Sequence, residues 1–108
     1  MQKIMIIEDD EIIASSIKKH LEKWNYDVYI AADFENIMDD FRKYEPMLIL
    51  LDISLPYYNG YYWCQEIRKE SEVPIIFISS TNENIGKESP VSAKGLFSVI
   101  AFSSVPSA

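Results

Sequence analysis

The chain has 108 residues, 48% of them hydrophobic and 25% charged, a composition that suits one globular domain and excludes both intrinsic disorder and a second domain. Seventeen acidic residues against ten basic ones give a formal charge of −7, a sign that repels phosphate backbones and anionic membranes, so no direct nucleic-acid contact by this chain is expected. The single cysteine, Cys64, leaves no internal disulfide and no zinc-type cluster, and the apolar run after Met1 is too short for a signal-peptide core or a membrane span, which predicts a cytoplasmic location.

Ile4 to Ile7 are apolar at successive positions, as in a strand buried on both faces. Ile13, Ile17, Leu21 and Trp24 follow at helical spacing with charged residues between them, which predicts an amphipathic helix with all four facing inward. Val28 to Ala31 reads as a second strand. Asp33 is then a candidate cap for a helix whose inner face is Phe34, Ile37, Met38, Phe41 and Tyr44, ended by Pro46. Met47 to Leu51 is a third buried strand. After Pro56 and the tight turn Asn59-Gly60, a third helix carries Tyr61, Cys64 and Ile67 toward the core, Pro74 stops it, and Ile75 to Ile78 form a fourth strand. This alternation predicts an α/β fold with a parallel sheet wrapped by helices.

Ligands of such sheets sit beyond the carboxyl ends of the strands, so the residues just after each apolar run matter most. Here these are Glu8-Asp9-Asp10 after the first strand, Asp52 after the third, and Ser79-Ser80-Thr81 after the fourth. Carboxylates crowded at one edge repel unless a cation sits among them, and a hard divalent ion with oxygen ligands suits them; Mg2+ is the expected occupant. Magnesium commonly leaves a position for a phosphoryl oxygen, and an aspartate beside it can act as a nucleophile toward phosphorus. Taken singly, Asp9 or Asp10 could instead cap the first helix, and Asp52 could be a turn former.

With Ile6-Ile7-Glu8-Asp9-Asp10, Leu50-Leu51-Asp52-Ile53-Ser54-Leu55-Pro56 followed by Gly60, and Pro74-Ile75-Ile76-Phe77-Ile78-Ser79-Ser80, the chain resembles a response-regulator receiver domain of bacterial two-component systems from Lys3 to about Asn84. The stretch Asp52 to Ser80 is most similar to receivers of winged-helix regulators that respond to bacitracin and cationic antimicrobial peptides. The resemblance implies a flavodoxin-like three-layer sandwich of strand order 2-1-3-4-(5). It also implies that Asp52 accepts a phosphoryl group from a sensor histidine kinase, a modification rather than enzymatic turnover. Asp9, Asp52 and the Ser54 backbone carbonyl would hold Mg2+, Glu8 would act through a water, and Ser79 would be the hydroxyl switch that bonds a phosphoryl oxygen.

Past Asn84 the resemblance stops. Residues 85–108 carry six serines and a net charge of +1 against −8 for residues 1–84, and lack helical periodicity, so they are read as an atypical tail. The family's lysine has no match, since Lys87 and Lys94 are followed by Glu88 and Gly95 rather than proline. Residues 96–102, Leu96 to Phe102, have the content of a strand that fills the fifth position. The last helix and the DNA-binding output domain of the family are expected to be missing, and dimerisation through the face of the fourth and fifth helices to be weakened. The competing reading is therefore a degenerate receiver that acts only as a protein-interaction module.

Other conspicuous residues read as structural. His20 lies among lysines and is a surface residue. Tyr57, Tyr58, Tyr61, Tyr62 and Trp63 lack the basic groove of a base-stacking platform and are read as core anchors or partner contacts, and Cys64 as a small buried hydrophobe. A haloacid-dehalogenase-type phosphotransferase would need an aspartate where Ser54 stands. A flavodoxin would place a phosphate where Glu8, Asp9 and Asp10 repel it.

Overall fold

The computed structural model describes residues 2–79 and 98–103, with Ser79 and the last segment described by their backbone. Strand β1 (Lys3–Ile7) lies between β2 (Asp27–Ile30) and β3 (Leu48–Asp52), and β4 (Ile75–Ser79) follows β3, all four parallel. The last strand, β5 (Ser98–Ser103), completes the order β2-β1-β3-β4-β5. It takes the fifth position anticipated for residues 96–102, two residues later at its start, but runs antiparallel to β4, with Ser79 opposite Ser98 and Ile75 opposite Ser103. A parallel fifth strand needs a crossover that carries the chain back along the sheet, usually a helix, and the sequence between the two strands has no helical periodicity to build one. The register is irregular between Phe77 and Ile78, where one residue of β5 is left over. Leu96, Phe97, Lys87 and Lys94 lie outside the described residues, as does most of the tail of residues 85–108.

Among the described residues, three helices cover the sheet: α1 (Glu11–Glu22), α2 (Ile37–Tyr44) and α3 (Gly60–Arg68). Helix α1 starts where Asp10 accepts the N–H groups of Ile12 and Ile13 at 3.0 and 3.1 Å, two of the donors that a helix start leaves unpaired. It buries Ile13, Ala14 and Ile17 as its spacing requires. Trp24, expected on the same stripe, is 75% exposed. The helix ends at Glu22, and Asn25 turns the chain with φ 68°, so Trp24 has left the helical phase.

Asp33 is not the cap of α2. Its carboxylate closes a turn, accepting from the Glu35 N–H and the Asn36 amide at 3.1 Å each, and the helix begins after Asn36. Helix α3 buries Gly60, Trp63, Cys64 and Ile67, so its inward stripe is shifted from the one expected: Trp63 is in the core and Tyr61 is half exposed, its ring 5.1 Å from Phe77. His20 is exposed and Cys64 buried, as expected.

The core of the described residues has two parts, one on each face of the sheet. Helices α2 and α3 pack Ile37, Phe41, Trp63 and Ile67 against Met5, Ile7, Ile49, Leu51, Ile75 and Phe77. Helix α1 packs Ile13, Ala14 and Ile17 against Ile4, Ile6, Val28 and Ile78. Alternate residues of each strand thus face opposite layers, and each Ile or Leu buried this way contributes about 1.5–3 kcal/mol before entropy is charged.

Candidate metal and phosphoryl site

The register of the central strands builds the site. Ile7 of β1 stands opposite Leu51 of β3, so the next residue of each strand, Glu8 and Asp52, emerges side by side at the carboxyl edge. Both are buried, at 2% and 1% exposure, while Asp9, one residue on, faces solvent. One carboxylate oxygen from each of Glu8, Asp9 and Asp52 lies within 4.8 Å of the other two. Asp10 is drawn away from this group by its capping of α1, and its N–H donates to Glu8 Oε2 at 2.9 Å.

The electrostatics are those of an unbalanced site. Burial first, opposed by the Asp10 N–H and reinforced by the charges of Asp52 and Asp9 and by a hydrogen bond to Asp52, pushes the Glu8 carboxyl up to about 8. Glu8 Oε1 is buried with no hydrogen-bond partner. An acceptor that faces other acceptors is satisfied only when a proton or a cation comes between them, and burying it otherwise costs about 1–3 kcal/mol or more. Three clustered carboxylates, one of them with a buried oxygen that no hydrogen bond satisfies, match the all-oxygen donor set that Mg2+ takes. A cleft of about 300 Å³, lined in part by Glu8, Asp9, Glu11, Ser15 and Phe34, opens beside them.

The loop after β3 frames the other side. The Ser54 N–H donates to Asp52 Oδ1 at 3.2 Å, the Gly60 N–H donates to the Ile53 carbonyl at 2.8 Å, and Asn59 caps α3 by accepting the Tyr62 N–H at 2.9 Å. Asn59-Gly60 is therefore more than a turn. A Cβ at Gly60 would collide with the carbonyl oxygen of Asp52, so the helix start rests directly on the backbone of the central carboxylate. Sequence reasoning missed both roles, although an Asn just ahead of a helix is a recognised capping signal. Tyr58 stacks on Tyr62 with ring centres 4.4 Å apart, and both meet Trp63 edge-on at 5.5 and 4.9 Å, so the aromatic run anchors this loop and helix together.

Glu8, Asp9, Asp52 and Ser54 are thus brought together. Ser79 ends β4 one residue past Ile78, which stands opposite Asp52; its side chain lies outside the described residues, as do Ser80 and Thr81. Among the described residues, no helix is long and apolar enough to cross a membrane.

Known proteins resemble this chain in sequence and in fold. A family model described as the response regulator receiver domain matches residues 4–100. The transcriptional regulatory protein YxdJ of Bacillus subtilis is 51% identical over 80 residues, which is 74% of this chain and 35% of that protein. The sensory transduction protein BceR of Halalkalibacterium halodurans is 48% identical over 80 residues, with the same coverage of 74% and 35%. The chain therefore spans about a third of the length of these relatives. Among solved structures, the N-terminal domain of the nisin resistance regulator NsrR superposes with a TM-score of 0.70 at 46% identity, covering 77% of this chain and 70% of that one. The BeF3-activated receiver domain of Klebsiella pneumoniae RstA gives 0.70 at 28% identity, covering 79% and 73%.

Proposed function

The chain belongs to the response-regulator receiver family, and on that premise we propose that it accepts a phosphoryl group on Asp52 from the phosphohistidine of a sensor kinase. A carboxylate oxygen of Asp52 attacks phosphorus, the P–N bond of the donor breaks as the P–O bond forms, and the released imidazole takes a proton from water. The modification stays on the chain, so its product is a conformational state rather than a released compound. Glu8, Asp9, Asp52 and the Ser54 backbone carbonyl would hold Mg2+, with Glu8 acting through a water. When bound, the ion neutralises charge on the phosphoryl oxygens.

The protein's own groups prepare the step. The Ser54 N–H holds Asp52 Oδ1, burial excludes bulk water from Asp52, and Glu8 carries the proton that an entering cation displaces. Ser79, at the end of the neighbouring strand, is assigned the hydroxyl that bonds the phosphoryl group. A role in transcription, supported by the name of the YxdJ relative, and a cytoplasmic location belong to the same proposal. So does the division into a receiver core at residues 1–84 and an atypical tail at 85–108.

The observation that carries this reading is the pairing of two buried carboxyls, Glu8 and Asp52, at adjacent strand ends with Asp9 beside them. Intact mass after incubation with acetyl phosphate tests it. A gain of about 80 Da, one phosphoryl group, should require magnesium and be lost in Asp52→Ala. No gain in a folded sample would favour the interaction-module reading.

A further inference from the structure

We propose that Gly60 is a positioning residue for the acid site: its bare Cα lets the first turn of α3 close on the Asp52 carbonyl, and this closure sets the loop of residues 53–59. The inference rests on the reading of Glu8, Asp9 and Asp52 as a magnesium site, and adds to it a residue with no ligating atom of its own.

One hydrogen bond and one close backbone approach hold the loop at a single point. The Gly60 N–H donates to the Ile53 carbonyl at 2.8 Å, the position a Cβ would occupy at Gly60 is taken by the Asp52 carbonyl oxygen, and the next nearest atom, the Ile53 Cα, is 3.0 Å from it. These neighbours are backbone atoms at a strand end, which cannot swing aside as a side-chain tip can. On the other side, Asn59 ties the same turn to Tyr62, and Trp63, 4% exposed, pins the helix in the core. A methyl group at Gly60 is therefore relieved by moving Asp52 and Ile53 relative to α3. The carboxylate of Asp52 and the Ser54 N–H that holds it move with their backbone. Groups that orient a metal's ligands typically change affinity by about 10–100-fold when altered.

The test uses the full chain and magnesium chloride, titrated by calorimetry into wild type, Gly60→Ala and Ile67→Val. Ile67 is fully buried two turns along the same helix, about 10 Å away along its axis, so its variant loosens α3 without touching Asp52. Gly60→Ala should bind magnesium about tenfold more weakly or worse. Ile67→Val should stay within about twofold of wild type despite its lost stability, because it leaves the ligands' supports in place. Equal affinity in Gly60→Ala and wild type, or equal losses in both variants, would overturn the positioning role while leaving the site reading intact. Absence of binding in wild type would overturn both. A mutation-free measurement covers the case in which Gly60→Ala does not fold: in wild type, saturating magnesium should slow hydrogen exchange of the Gly60 N–H several-fold, and unchanged exchange would overturn the inference.

Discussion

The two ends of the parallel sheet use polar groups in opposite ways. At the amino end, Lys3 Nζ donates to the Tyr44 carbonyl at 3.0 Å and lies 5.4 Å from the centre of its ring, while the Tyr44 hydroxyl donates to the Asp27 carbonyl at 2.8 Å. Tyr29 packs on Tyr44 with ring centres 5.1 Å apart. Burial, helped by the charge of Asp27, pushes the Tyr44 hydroxyl up to about 12, so it remains a donor across the working range of pH. At the carboxyl end, a few residues along the same strands, Glu8 and Asp52 are buried against one another and Glu8 Oε1 has no partner. Donors matched to acceptors hold a fold together, whereas acceptors facing acceptors hold a place for a cation. The difference separates structural polar chemistry from functional polar chemistry within one sheet.

The largest effect expected from this contrast is on the pH dependence of the metal-free protein. Because Glu8 is raised from 4.5 to about 8, the folded chain binds more protons than the unfolded chain between those values. Its contribution to stability is full below pH 4.5 and is lost as pH rises through 8. Each pKa unit is worth about 1.4 kcal/mol, so urea melts in EDTA should show a loss of a few kcal/mol across this window. Glu8→Gln, which cannot ionise, should flatten that slope. A smaller effect belongs to the other end: Tyr44→Phe removes one hydrogen bond and should cost about 1 kcal/mol in the same melts, with magnesium affinity unchanged. If Tyr44→Phe weakened magnesium binding, or Glu8→Gln left the pH slope as it was, the division between the two ends would fail.

How far the sequence discloses this arrangement depends on the kind of signal each residue carries. Apolar runs such as Ile4 to Ile7 and Leu48 to Leu51 mark buried parallel strands with little ambiguity, and acids directly after them fall at one edge whatever the details of packing. The phase of α3 is harder to read because its inward stripe begins at Gly60, which adds nothing to a hydrophobic pattern; a stripe anchored at Tyr61 meets Cys64 and Ile67 but leaves out Trp63. Trp24 fits the periodicity of α1, yet the turn at Asn25 ends that periodicity before it is reached. The direction of β5 has no counterpart in its own residues, since β-branched and aromatic content is the same for a parallel and an antiparallel strand. The collision beyond Gly60 is a tertiary contact between a helix start and a strand end, and local spacing gives no sign of it.

The most direct test of the central claim, that the carboxyl end is unbalanced until a cation enters, is the stability gained on adding magnesium to wild type and to Asp52→Asn. Wild type should gain about 2.7 kcal/mol at a magnesium concentration one hundred times its Kd, while Asp52→Asn should gain almost nothing and be the more stable of the two in EDTA above pH 8. An equal gain in both proteins, or none in wild type, would contradict the account.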